Sequence, residues 1–169
     1  MEQKQTIIVY YLDARREWEL SLEAGEGMTT EYNPVRRNSV YAEFLRQKSE
    51  RGGKKYNSIS HSDHFCVCCS SDIPCGIDLE KIRYIPQQMI PEGFSYNPTR
   101  FLKEWTALES YVKLRGLTLH ECSRLEQIAW KESQFIYLEQ ITGYELCLCL
   151  YAGINVNVEM IYCPGRAVR

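Results

Sequence analysis

The chain has 169 residues, 44% of them apolar and 25% charged, with a formal net charge of -2. That length suits one compact core, and the near-neutral balance excludes a bulk electrostatic pull toward nucleic acid or an anionic membrane. No apolar run reaches membrane-spanning length and the first residues carry no cleavage signature, so the sequence predicts a cytoplasmic protein.

The β-branched and aromatic stretch 6–12 predicts a first strand. Residues 13–35 are rich in glutamate; Trp18, Leu20 and Leu22 predict a helix there, ended by the turn Gly25-Glu26-Gly27. Pro34 opens a second helix with Val40, Phe44 and Leu45 as its apolar stripe. Arg36, Arg37, Arg46, Lys48, Arg51, Lys54 and Lys55 make this stretch and its tail basic. Two readings fit: a solvated helix face, or a cradle for a polyphosphate ligand. Residues 56–69 predict a strand-turn-strand unit in which Ser58, Ser60 and Ser62 alternate with Ile59 and His61. The Ser60 hydroxyl and the His61 ring are able to donate to a phosphate, although a histidine at a strand end is more often structural.

Cys75-Gly76-Ile77-Asp78-Leu79-Glu80 reads as a buried strand running into a turn. Residues i and i+2 of a strand share a side, so Asp78 and Glu80 face one pocket while Leu79 packs the other way. Two carboxylates held together repel unless a proton or a cation stands between them, and a hard cation such as Mg2+ prefers oxygen ligands. The alternative is a strand end with two solvated acids.

Residues 81–99 carry Pro86, Pro91, Gly93 and Pro98 and predict a loop or short broken helices. The clearest helix spans 98–114, with Phe101, Trp105, Leu108 and Val112 on its core face and Gly116 as a left-handed cap. Glu109 and Lys113, four apart, stack on one side of it. Runs at 135–141 and 144–151, joined by Thr142-Gly143, predict a hairpin; 156–162 predicts a last strand and 164–169 a frayed tail.

Of the eight cysteines, Cys66, Cys68, Cys69 and Cys75 cluster, Cys147 and Cys149 form a second group, and Cys122 and Cys163 stand alone. Most lie in apolar runs where they read as small core hydrophobes. A zinc site from Cys66, Cys68 and Cys75 with His61 or His64 is a rival reading, at a spacing that matches no common zinc pattern.

Three segments in order, Ser60-His61-Ser62, Gly76-Ile77-Asp78-Leu79-Glu80 and Trp105-Thr106-Ala107-Leu108-Glu109-Ser110-Tyr111-Val112-Lys113, resemble the motifs of the 4'-phosphopantetheinyl transferases. The similarity is to the larger single-chain type typified by the surfactin synthetase activator. It implies an α+β, pseudo-dimeric fold: two similar halves, each with a helix packed on a small antiparallel sheet. The expectation is a single domain over 1–169 built of subdomains at about 1–73 and 74–169. It implies a monomer that moves the phosphopantetheine group of coenzyme A onto a serine of an apo acyl or peptidyl carrier protein and releases 3',5'-ADP. By the same resemblance Asp78, Glu80 and Glu109 would bind Mg2+, with Glu109, Lys113 and Asp78 catalytic. Ser60, His61 and Lys113 would contact coenzyme A, as would Lys54 and Arg46 and, more loosely, Arg36 and Arg37. The chain departs from the family pattern at Leu108, where a lysine is expected, and Lys103 or Lys81 is a possible substitute. Those departures leave a non-catalytic relative that binds coenzyme A or a carrier protein as a second reading, and the zinc module as a third.

Overall fold

The computed structural model describes the backbone of residues 4–23 and 34–164 and the side chains of residues 4–20 and 39–164. In chain order the elements are β1 (Gln5–Asp13), α1 (Ala14–Glu23), α2 (Pro34–Arg51), β2 (Tyr56–Ser62), β3 (Phe65–Ser71), β4 (Gly76–Lys81), α3 (Pro98–Arg115), β5 (Ser133–Tyr137), β6 (Tyr144–Tyr151) and β7 (Val156–Tyr162). Single 3-10 turns lie at Gln87–Met89, Leu125–Gln127 and Trp130–Glu132. Among the described residues, no helix is long and apolar enough to cross a membrane. The predicted turn Gly25-Glu26-Gly27 and most of the predicted tail fall outside the described residues.

The strands form two sheets, ordered β2-β3-β1-β7 and β4-β6-β5. Helix α2 packs on the first and α3 on the second. The mixed α+β class is as expected, but the first sheet is not the small antiparallel sheet the resemblance implies. β1 pairs antiparallel with β3 and parallel with β7. β7 thereby returns to the first sheet, and the expected division near residue 73 separates the two sheets except at this strand. β5 ends four residues earlier than predicted. Leu138 and Ile141 are both buried in the core three positions apart, which suits a turning backbone rather than a strand of period two.

Alternation along the strands builds three apolar layers. Ile7 and Val9 of β1, Val67 and Cys69 of β3, Ile77 and Leu79 of β4 and Leu146, Leu148 and Leu150 of β6 form one core shared by both sheets. Tyr10, Leu12, Cys66 and Cys68 face the other way and meet Tyr41 and Leu45 of α2. Cys149 faces α3 with Phe101, Leu108, Tyr111 and Val112, and Ser110 Oγ donates to Cys147 Sγ at 3.5 Å. Cys66 and Cys68 thus sit on the opposite face from Cys69 and Cys75, and His61 is exposed. Burial pushes the Cys66 and Cys68 thiols up to about 12, which disfavours the thiolate a metal needs. The cysteines pack as core residues, and the zinc reading loses its ligand set.

Asn97 caps α3 by accepting from the Arg100 N–H at 3.0 Å, Pro98 takes the first turn, and Gly116 closes the helix at φ 64°. The helix lies hard against β4 at Gly76. A Cβ built there would stand 2.0 Å from the Ser110 carbonyl oxygen and 2.5 Å from the Leu114 nitrogen. Both are backbone atoms in the C-terminal part of α3 and cannot swing aside as a side chain would, so glycine sets how closely helix and strand approach. Gly76→Ala is expected to cost about 2 kcal/mol or more by overpacking, read as a fall in the urea midpoint. An unchanged midpoint would show that α3 can lift off β4 freely.

Candidate active site

β4 points Ile77 and Leu79 into the shared core and Asp78 and Glu80 toward α3. From α3, Glu109 and Lys113 reach the same place. Lys113 Nζ donates to Asp78 Oδ1 at 2.7 Å and stands 3.9 Å from Glu109 Oε2. The strand pair and the helix pair, 29 or more positions apart in sequence, therefore share one cluster. Asp78 is 1% exposed, and its Oδ2 has no hydrogen-bond partner. A buried carboxylate oxygen without a donor is costly, and a cation or a proton on a neighbouring acid relieves that cost.

The charges confirm the crowding. The Glu109 carboxyl is pushed up to about 7, first by burial, then by the Asp78 charge, then by hydrogen bonding with the Asp78 carboxyl when protonated, with Glu80 adding to it; Lys113 opposes these. Glu80 is also raised, by burial and then by Asp78, against Ser62, Arg83 and Lys113. The acids repel one another more than Lys113 relieves. Among the described residues no three His, Cys, Asp or Glu side chains stand as a ready ligand shell. Asp78 and Glu109 meet at the Lys113 ammonium, which does part of the neutralising that a divalent ion would do, and Glu80 feels its charge from further off. An all-oxygen donor set, mutual repulsion and the orphaned Asp78 Oδ2 nevertheless fit a hard divalent cation.

A cavity of about 410 Å3 opens beside Glu80 and Glu109. Its walls include Tyr84, Pro86, Met89, Phe101, Trp105 and Arg83. Trp105 is braced by Phe94 and Phe101, with ring centres 5.8 Å and 6.0 Å away. Tyr84 and Met89 leave much of their apolar surface in solvent. Arg83 is the residue sequence reasoning passed over: a cation three positions past Glu80, in a segment without periodicity, whose charge reaches Glu80.

No protein-family model matches the chain. It is similar to the 4'-phosphopantetheinyl transferase gsp of Aneurinibacillus migulanus. The two are 29% identical over 133 residues, 68% of this chain. The chain spans 55% of that relative's length.

The other expected site residues are not all drawn to the cluster. Ser60 is buried beside it, but its hydroxyl donates to Asp78 Oδ1 at 2.8 Å and accepts from the Leu79 N–H at 3.2 Å, so its one hydrogen is already committed. His61, the next residue on the strand, points the opposite way and is exposed. Lys54 pairs with Asp72, and Arg46 with Glu43 and Glu50 on its own helix. The side chains of Arg36 and Arg37 lie outside the described residues. Lys81 is held by Asp63 in the β2–β3 turn, and Lys103 lies 5.7 Å from the Tyr137 ring centre. Leu108 is wholly buried among the aromatics under α3, a place hostile to the lysine of the family pattern.

Glu109 binds a proton more tightly folded than unfolded. Between its ordinary value of 4.5 and about 7 the folded state holds a proton that the unfolded chain has released. Stability therefore falls as pH rises through that window. In chelator, Glu109→Gln is expected to flatten this part of the pH profile in urea unfolding, and an identical slope in parent and variant would contradict the assignment.

Proposed function

We propose that the protein transfers the 4'-phosphopantetheine group of coenzyme A to a serine of an apo carrier protein. The observation that carries this is the approach of Glu109 and Lys113 of α3 to Asp78 of β4, two residues before Glu80, with the buried Asp78 Oδ2 left without a donor. The superfamily likeness and the three ordered motifs point the same way.

In this reading Asp78, Glu80 and Glu109 hold Mg2+. The ion would supply charge neutralisation at the pyrophosphate of coenzyme A, whose phosphorus is the centre attacked. Lys113, already seated against Asp78, meets the pyrophosphate oxygens as a point charge. Glu109, on the cavity wall, stands where it would accept the proton of the carrier serine. Arg83, at the cavity wall, supplies the positive charge that Leu108 does not. The cavity beside Trp105 places apolar surface next to the acids, where an incoming chain would be shielded from water. Ser60 acts through Asp78, and a direct contact with coenzyme A would require its hydroxyl to exchange partners.

Incubated with coenzyme A, Mg2+ and an apo carrier protein, the parent is expected to add one phosphopantetheine mass to the carrier in intact-protein mass spectrometry. Chelation or Glu109→Ala should reduce the rate by at least about a hundredfold, as loss of a proton acceptor alone accounts for roughly two to four decades. Full activity in the variant would overturn the site. Coenzyme A binding by calorimetry, with no transfer to fatty-acid, polyketide or peptide carriers, would favour the binding-only reading that buried Leu108 motivates.

A further inference from the structure

β4 is the edge strand of its sheet, yet its outward N–H groups are not left bare. The Ile77 N–H donates to Ser58 Oγ at 3.1 Å, the Leu79 N–H to Ser60 Oγ at 3.2 Å and the Lys81 N–H to Ser62 Oγ at 3.1 Å. Each pair is 19 positions apart, so β2 and β4 run in the same direction and in step. No backbone ladder joins these two strands; three hydroxyls stand in for one. A hydroxyl that accepts a hydrogen bond still has one hydrogen to give. Ser60 gives it to Asp78 Oδ1, and Ser62 gives it to Glu80 Oε2 at 3.0 Å. Each step of the seam therefore fastens one backbone group and the side chain just before it. At the Ser58 step that preceding residue is Gly76, which has no side chain to fasten.

We propose that Ser62 is a positioning residue. Its hydroxyl, pinned by the Lys81 N–H, aims the Glu80 carboxylate at the Asp78–Glu109 cluster and so sets the cluster's affinity for a divalent cation. Glu80 is only partly buried and Arg83 competes for its charge at the cavity wall. Without Ser62 the carboxylate regains rotamer freedom and is drawn to that guanidinium. A chain running from N–H through O–H to carboxylate also polarises along its length, which strengthens the last bond. The motif serine that precedes a loop thus acts on the acid, not on the ligand. This inference rests on the divalent-cation reading above.

The seam supplies its own control. Ser58→Ala and Ser62→Ala each delete one hydroxyl that caps a β4 N–H, so both should lower the urea midpoint by similar amounts. Calorimetric titration of the full chain with Mn2+ at fixed pH should separate them. Ser62→Ala is expected to weaken Mn2+ on the order of tenfold, as loss of a group that orients a ligand commonly does, while Ser58→Ala stays within about twofold of the parent. Should Ser62→Ala fail to fold, Ser62→Cys keeps the volume with a weak donor and is expected to show the same loss. Equal weakening in both serine variants, or none at Ser62, overturns the proposal and leaves the cation site standing. A parent that binds no Mn2+ brings down the cation reading and this inference together.

Discussion

The contact between Gly76 and the backbone of α3 is the constraint on which the candidate site depends. Glu109 and Lys113 come from the helix, Asp78 and Glu80 from the strand, and the two elements owe their separation to a residue without a Cβ. This approach keeps the Lys113 ammonium against Asp78, the acid of the cluster that is fully buried and most in need of a counter-charge. The same approach lets the Ser110 hydroxyl touch Cys147 on the helix-facing side of β4's neighbour β6. Close packing here is therefore a condition of charge balance and not only of core density.

The balance itself is tilted. Three acids meet one ammonium, with the Arg83 guanidinium at the rim. Glu109 answers by holding its proton toward neutral pH. A cluster with an acid excess and an orphaned oxygen is a poor contributor to stability and a good receptor for positive charge. Such local cost at a place that faces a cavity is what a binding site requires, because the ligand then relieves it.

Much of the fold was legible in the sequence, for physical reasons that differ by element. The stripe Phe101, Trp105, Leu108, Val112 with Pro98 and Gly116 at its ends fixed α3 almost to the residue, since periodicity and both caps agree. The 144–151 run was legible because its alternation of leucine and cysteine buries both faces. The strand position of Asp78 and Glu80, and their common side, followed from the period of two. What stayed hidden was tertiary. Nothing local says that β7 joins β1 or that Leu138 and Ile141 turn inward. Nothing local says that Lys54 and Arg46 are spent on Asp72, Glu43 and Glu50. The alternating serines drew attention as phosphate donors, yet their partners lie 19 residues away along a neighbouring strand, a distance at which sequence spacing carries no signal. Arg83 was hidden because it sits in a proline-rich segment whose path only the folded chain defines.

The parallel pairing of β1 with β7 has a consequence for how the molecule is made. β1 leaves the ribosome some 150 residues before β7, the strand that covers one of its two edges. While the intervening residues are made, that edge offers unpaired N–H and C=O groups flanked by Ile8 and Tyr10, a template for pairing with a neighbouring nascent chain. Closing the sheet must also join residues some 150 positions apart, which favours slow, late completion over folding as the chain emerges.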